Sequence, residues 1–266
     1  MMIKQVECKT ALSPSSLPDL DYSLNPYRGC QHNCIYCYVP NVINIPRENW
    51  GKFVEIKRNI PLILSKELKR KKPGIIGIST VTDPYQPVEK KYKLTRYCLE
   101  QLLKHDFPVC IQTKSSLITR DIDIISKISD AEVMISIGTL NDKERKLLEP
   151  NSSSIKERLK TLKIFANNNI KTSVFFGPIY PTITTKEIPN IIDTFIQHNI
   201  SEITIDNLHL KPGIWENIQK KLQNQPIIYK AFLTKIYGNK KNHYSELRQK
   251  IIEIGKERSI KIIDAF

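Results

Sequence analysis

Cys30-Gln31-His32-Asn33-Cys34-Ile35-Tyr36-Cys37 is the stretch from which the rest of the chain is best read. Its spacing is Cys-x3-Cys-x2-Cys, and no fourth cysteine lies nearby. A structural zinc site or a fully protein-ligated iron–sulfur cube takes four protein ligands. Three thiolates on one short loop can instead hold three irons of a [4Fe–4S] cube. The fourth iron is then open, and an open metal position is where an exogenous ligand binds and chemistry occurs. The alternative is a zinc loop completed by His32 or by the distant Cys8. His32 lies between two of the cysteines, where it cannot easily turn back onto the metal they share. Cys8, Cys98 and Cys110 are scattered, and Met1 to Leu24 shows no positive-then-apolar signal pattern, so a disulfide framework is not expected.

The chain has 266 residues, enough for one large α/β domain with a substantial core. No apolar run reaches the length that spans a bilayer, and the expected location is the cytosol, with no membrane partner. The net charge of +14 and a pI near 9.4 favour a polyanionic partner, nucleic acid above all. Lysines spread over solvated faces would give the same total. Two basic runs stand out, Lys66 to Lys72 and Lys235 to Lys241. The first reads as a helix end, where cations suit the dipole. The second, with Tyr237 among its lysines and His243-Tyr244 after it, is the better candidate for a nucleic-acid patch.

Beyond the cysteine loop, helical and strand patterns alternate. Helices are expected over Pro61–Lys71, Lys91–His105, Asp121–Ile128, Ser154–Asn167 and Thr185–His198, the last with Pro189 in its first turn. Ser152 to Ser154 supply caps for the fourth. Strands are expected over Gly74–Thr80, Val109–Thr113, Val133–Ile137, Thr172–Phe176 and Ile203–Asp206, with a short one near Tyr22–Leu24 ahead of the loop. Repeated βα order means a parallel sheet with helices outside, about six βα units, an incomplete barrel. After Leu210 the pattern changes to helices over Trp215–Gln223, Ile227–Tyr237 and Tyr244–Arg258, then a final strand or tail over Ile260–Phe266. The expected division is an N-terminal extension (1–24), a core (25–210) and a C-terminal helical cap over one barrel opening (211–266).

In such barrels the chemistry sits at the C-terminal ends of the strands. Ser79-Thr80-Val81-Thr82-Asp83-Pro84 is a hydroxyl-rich strand end running into an acidic turn. It could meet an ammonium and a carboxylate together, or be an ordinary Asp-Pro turn. Lys114 stands where the next strand meets its loop and could hold a carboxylate as a point charge. Ser136 could bond a ribose or carboxylate, or simply backbone. Glu149 and Arg158 are expected to pair with each other. Val174 and Phe175 could wall a nucleobase, though core residues look the same.

With these positions in hand the chain resembles the radical S-adenosylmethionine superfamily, and within it the spore photoproduct lyase-like branch. The residues that carry the resemblance are Asn25-Pro26-Tyr27-Arg28-Gly29 leading into the cysteines, Tyr36-Cys37-Tyr38, Ser79-x-x-Thr82-Asp83-Pro84, Thr113-Lys114-Ser115 with Arg120-Asp121, and Glu149-Pro150 with Arg158. The resemblance implies an α/β fold, a (β/α)6 partial TIM barrel with a helical C-terminal cap. It implies a [4Fe–4S] cluster on Cys30, Cys34 and Cys37, S-adenosylmethionine on the open iron, and a low-potential flavodoxin- or ferredoxin-like electron donor. By motif position Thr82, Lys114 and Ser136 would contact the methionine and ribose parts, with Tyr36 over the adenosine. Ser79, Asp83 and Val174 complete the expected cofactor set, and Tyr36, Tyr38 and Thr80 are the expected catalytic positions.

One departure matters. Spore photoproduct lyase carries a hydrogen-donating cysteine at the place of Thr80, whose O–H is a far poorer hydrogen-atom donor. The implied reaction is reductive cleavage of S-adenosylmethionine to a 5′-deoxyadenosyl radical acting on a nucleic-acid-type substrate. The alternatives are radical modification of a peptide or small metabolite, and a non-catalytic iron–sulfur or zinc protein. No cysteine follows Cys110, which argues against an auxiliary cluster.

Overall fold

A computed structural model describes residues 1–238 and 240–265, with the side chains of all of these except Lys240 and Lys241. Its strands are β1 (Met2–Val6), β2 (Leu12–Pro14), β3 (Tyr22–Leu24), β4 (Tyr27–Arg28), β5 (Phe53–Lys57), β6 (Ile76–Ile78), β7 (Val109–Thr113), β8 (Ala131–Ser136), β9 (Lys171–Phe176), β10 (Glu202–Ile205) and β11 (Lys261–Asp264). The main sheet runs β11-β10-β9-β8-β7-β6-β3-β2. Every pairing from β3 to β11 is parallel, and β2 adds an antiparallel edge. The six expected βα strands are therefore joined by a seventh parallel one, β11, supplied by the C-terminal segment. A second sheet, β1-β5-β4, binds the chain's N-terminal strand beside the cysteine loop. Strand pairing thus crosses the expected divisions at 24 and 210.

The two faces of the barrel strands differ because successive side chains alternate. Ile135, Val174 and Ile203 are register partners and all fully buried. Phe176, on the same face as Val174, packs edge-on against Phe195 of the helix Ile188–Ile196. That face is the apolar layer under the helices. Helix Ile188–Ile196 buries Ile188, Ile191, Ile192 and Phe195 on it, each worth about 1.5–3 kcal/mol when fully buried. The other face lines the barrel. At its N-terminal end Glu132, Lys171, Glu202 and Lys261 form a chain of ion pairs, with Lys171 Nζ 2.8 Å from Glu132 and Lys261 Nζ 2.9 Å from Glu202.

The expected helices form with shifted ends. A left-handed Lys93 divides Lys91–His105 into Glu89–Tyr92 and Leu94–His105. The Asp121 helix reduces to a 3-10 turn, Ser116–Asp121, and Ile122–Ile125. Ser154 and Glu157 make a capping box that starts Ile155–Ala166. Asn141 caps an unexpected helix, Asp142–Leu148, which precedes the buried Glu149. The cap contains Ile214–Leu222, Pro226–Leu233, a π-helical turn over Thr234–Gly238, and Lys240–Glu257. Its first helix docks on the cysteine loop, Asn217 Nδ2 donating to the Ile35 carbonyl at 2.6 Å. Among the described residues no helix is long and apolar enough to cross a membrane.

Candidate active site

The cysteine loop begins at Gly29, which has φ +88° and no room for a Cβ, since one would lie 2.4 Å from the Phe53 carbonyl oxygen of β5. The loop then crosses the C-terminal end of the barrel, moored on several sides. Gln31 N–H donates to Gln86 Oε1 at 2.9 Å, Ile35 N–H to the Leu148 carbonyl at 2.9 Å, and Asn151 Nδ2 to the Gln31 carbonyl at 2.8 Å. Cys30 and Cys34 are buried and Cys37 is half-buried. Burial, with Asp83 and Cys37 close by, pushes the Cys30 thiol up to about 12. Burial and Glu149 raise Cys34 against the pull of Lys114. Burial raises Cys37 too, opposed by the Val39 backbone, Lys114, Arg47 and Trp50. A metal taken up here therefore displaces protons.

The turn after β6 holds the loop in place. Thr82 Oγ1 donates to the Gly29 carbonyl at 2.6 Å and accepts from Gln86 Nε2 at 2.9 Å. Asp83 Oδ1 accepts from Thr113 Oγ1 at 2.7 Å and Tyr85 N–H at 2.9 Å, and Oδ2 from Lys114 N–H at 2.8 Å. His32 Nδ1 approaches Asp83 Oδ2 to 3.2 Å, an ion-pair contact without hydrogen-bond direction. Burial alone would raise the Asp83 carboxyl, but His32 and these donors hold it well below the carboxylate range. His32 thus turns toward Asp83. Thr80 accepts from Asn25 Nδ2 at 3.2 Å, while Asn25 Oδ1 takes the N–H groups of Thr80 and Val81, each at 3.0 Å.

Beneath Tyr36 lies a buried hub. Tyr36 and Tyr180 both donate to Glu149 Oε1, and Arg158 and Ser152 to Oε2. Arg158 also donates to the Ser136 carbonyl at 2.7 Å and the Ser153 carbonyl at 3.0 Å. Glu149 and Arg158 are both fully buried, so the expected pair is made. Burial would raise Glu149, but Arg158, Lys114 and Tyr36 hold it at about 2. Burial and the Glu149 charge push both phenols well above their usual range.

Around the mouth, Lys114 is half-buried and makes no ion pair within 4.0 Å among the described residues. Burial lowers its ammonium, yet Cys34 and Glu149 outweigh that and keep it charged. Ser79 is buried with its hydroxyl unpartnered. Ser136 Oγ accepts from Gln112 Nε2 at 3.2 Å on the barrel-lining face. Tyr38 is 43% exposed and feels Cys37, Lys114 and Asp206. Thus Cys30, Cys34, Cys37, Tyr36, Tyr38, Ser79, Thr80, Thr82, Asp83, Lys114 and Ser136 all stand at one end of the barrel. Val174 does not. Its side chain lies on the helix-facing layer by strand alternation, and the barrel-lining position on β9 is Phe175.

Sequence reasoning missed several residues here. Asn25 and Gln86 act across 55 positions in sequence, and no local motif marks that. Asp206, at the end of β10, accepts from His209 Nε2 at 2.8 Å; a strand-end acid with a histidine three residues on was a readable signal. Arg47 and Trp50, in a turn ended by a left-handed Gly51, lie against Cys37. The basic run Lys66 to Lys72 lies at the far end of the barrel, where Tyr22, at the start of β3, donates to the Lys72 carbonyl. Of the other basic run, Lys235 and Tyr237 are described, Tyr237 edge-on to Trp215 at 4.8 Å. Asn239 and the side chains of Lys240 and Lys241 lie outside the described residues.

The donor set can be tested against the cofactor it implies. Among the described residues no three His, Cys, Asp or Glu side chains converge as ligands of one metal ion do. A cube instead takes each thiolate at a separate iron. Two buried thiols and one half-buried thiol on one loop, an unpaired ammonium beside them and two buried polar atoms without partners, Ser79 Oγ and Trp50 Nε1, fit a cluster bearing an oxygen-rich ligand.

Comparison with known proteins supplies an independent view. The sequence model of the radical SAM superfamily matches residues 24–195. An uncharacterised protein of Methanocaldococcus jannaschii is 36% identical over 187 residues, 70% of each chain. Spore photoproduct lyase of Clostridium acetobutylicum is 25% identical over 175 residues, 61% of this chain and 48% of that protein. A Pseudomonas phage M6 protein named as a radical SAM Nalpha-GlyT isomerase is 25% identical over 173 residues, 61% of this chain and 34% of that one. In fold, a cysteine-to-serine variant of spore photoproduct lyase superposes with a TM-score of 0.77 at 14% identity, covering 99% of this chain and 82% of the other. A further variant of that lyase, solved with bound AdoMet and the dinucleoside spore photoproduct, gives 0.75 at 13% identity, over 99% and 81%.

Proposed function

This chain belongs to the radical S-adenosylmethionine superfamily and is a radical S-adenosylmethionine enzyme, and from that premise we propose that Cys30, Cys34 and Cys37 hold three irons of a [4Fe–4S] cluster with S-adenosylmethionine on the fourth. The observation that carries this reading is the loop itself: three shielded thiols beside Lys114, a charged side chain with no anion of its own. Bound together, the two groups would supply reductive cleavage of the sulfonium to methionine and a 5′-deoxyadenosyl radical that takes hydrogen from the substrate. Lys114 holds the methionine carboxylate as a point charge, and the unpartnered Ser79 hydroxyl is free to bond the same moiety. Ser136 faces the ribose from the barrel wall. Thr82 has spent its hydroxyl on the Gly29 carbonyl and Asp83 its oxygens on Thr113, Tyr85 and Lys114, so both act by fixing the barrel end around the loop. Tyr36, clamped by Glu149, sets the wall beside the adenosine.

The substrate we propose is of nucleic-acid type. The +14 charge supports it, as does the likeness in fold to a lyase solved with a dinucleoside photoproduct. The basic run at the far end of the barrel does not contribute. Thr80, with its hydroxyl held by Asn25, replaces the donor thiol, which favours a reaction other than lesion reversal. A rearrangement in which the abstracted hydrogen is returned needs no such thiol, and isomerisation is the class named for the phage relative. The reductant would be a low-potential flavodoxin- or ferredoxin-like protein.

The test is anaerobic reconstitution with iron and sulfide, then assay of 5′-deoxyadenosine under dithionite. Four irons per chain and nucleoside production are expected, both lost in Cys30→Ala, Cys34→Ala and Cys37→Ala. Bound zinc with no nucleoside would overturn the cluster. Affinity for a single-stranded oligonucleotide should fall steeply with salt; a flat response would remove nucleic acid and leave a peptide or small metabolite.

A further inference from the structure

Trp50 is 5% exposed, and its indole N–H is buried without an acceptor in the protein. An unmade buried N–H costs about 1–3 kcal/mol, so its retention calls for an acceptor stronger than the neutral side chains around it. Its surroundings name one. Trp50 packs in a small buried cluster with Cys30 and Val39, against which Cys37, Ile43 and Val81 also lie. The turn that carries it is fixed on both sides. Arg47 Nη1 donates to the Cys37 carbonyl at 2.8 Å and Nη2 to Asn41 Oδ1 at 2.6 Å. Gly51, at φ +78°, brings the backbone so near Asn33 that a Cβ would lie 2.3 Å from its side chain. The indole thus shares one buried cluster with two of the three proposed ligand cysteines, Cys30 within it and Cys37 against it.

Resting on the cluster assignment above, we propose that Trp50 donates its indole N–H to the cluster-bound Cys37 thiolate and so sets the reduction potential of the cluster. It is a positioning residue, since it reaches the irons only through a ligand sulfur. A thiolate becomes a full acceptor once its proton is replaced by iron, and a donor to it disperses charge that would otherwise oppose the incoming electron. Phe at position 50 keeps the packing and removes only the donor.

The experiment is an EPR-monitored redox titration of reconstituted Trp50→Phe against the parent holoprotein, without S-adenosylmethionine, with iron and sulfide measured. The expected result is full iron content and a reduction equilibrium shifted about tenfold against the reduced cluster, a fall of about 59 mV for one electron. An unchanged potential with full iron overturns the inference. Should Trp50→Phe fail to hold iron, the parent protein decides: exchange into deuterated water with hyperfine spectroscopy of the reduced cluster should reveal a deuteron on a 15N-indole nitrogen, retained in Trp215→Phe. No such coupling overturns the inference. Failure of the parent to assemble any cluster overturns the cluster assignment instead, and this inference with it.

Discussion

Glu149→Gln tests the hub on which the cysteine loop rests. In the native protein the Glu149 carboxylate neutralises Arg158 in a site sealed from water and accepts from Tyr36, Tyr180 and Ser152. Glutamine preserves the shape but leaves the guanidinium buried without an anion, a change worth about 3–5 kcal/mol. Unfolding entropy near 2.1 cal/mol/K per residue gives about 0.56 kcal/mol/K for a chain of this length, so the midpoint should fall by about 5–9 °C. Circular dichroism melts of the apoprotein measure this without any cofactor. Replacing both partners, Glu149→Leu with Arg158→Met, should recover at least half of the loss, because the uncompensated charge is gone. A shift under about 2 °C for Glu149→Gln, or a double variant as unstable as the sum of the singles, would refute the claim that this ion pair braces the site.

The remaining expectations concern acid, the cofactor pocket and the loop anchor. Glu149 at about 2 and Asp83 below the carboxylate range both titrate lower folded than unfolded. Their stabilisation is therefore complete above an unfolded value of about 4 and is lost as pH falls below it. Denaturant titrations from pH 7 to 2 should show a plateau, then a decline that is shallower in Glu149→Gln. Lys114→Met should weaken S-adenosylmethionine binding at least tenfold with iron content unchanged, as read by equilibrium dialysis; iron loss would make the lysine a brace for the thiolates. Thr82→Val removes the hydroxyl between Gly29 and Gln86. It should cost about 1–3 kcal/mol and slow cluster assembly, followed by absorbance during reconstitution.

The parts of this molecule that could be read from sequence are those whose cause is local. The cysteine spacing encodes its own chemistry within eight residues, and the apolar runs at Val109, Val133 and Thr172 announce buried parallel strands because both faces are covered. β1 could not be read so, and β11 only as a final strand or tail over Ile260–Phe266. β1 is almost wholly exposed and β11 has two partly exposed residues between two exposed ends, so each is a strand only because β5 or β10 offers a parallel edge. Val174 was misplaced because an apolar residue in a doubly covered strand carries no parity signal; the register with Ile135 and Ile203 supplies it. The site shows the same division at finer grain. Its ligands are contiguous, whereas the groups that give the loop its shape (Asn25, Gln86, Asp83 and Glu149) come from separate turns and meet only when the barrel closes. Cysteine spacing alone therefore specifies which atoms bind a cluster, while the barrel end decides how protected and how charged that cluster is. Grafting the loop without Asp83, Gln86 and Glu149 should yield a peptide that takes up iron but holds it less tightly than the intact chain.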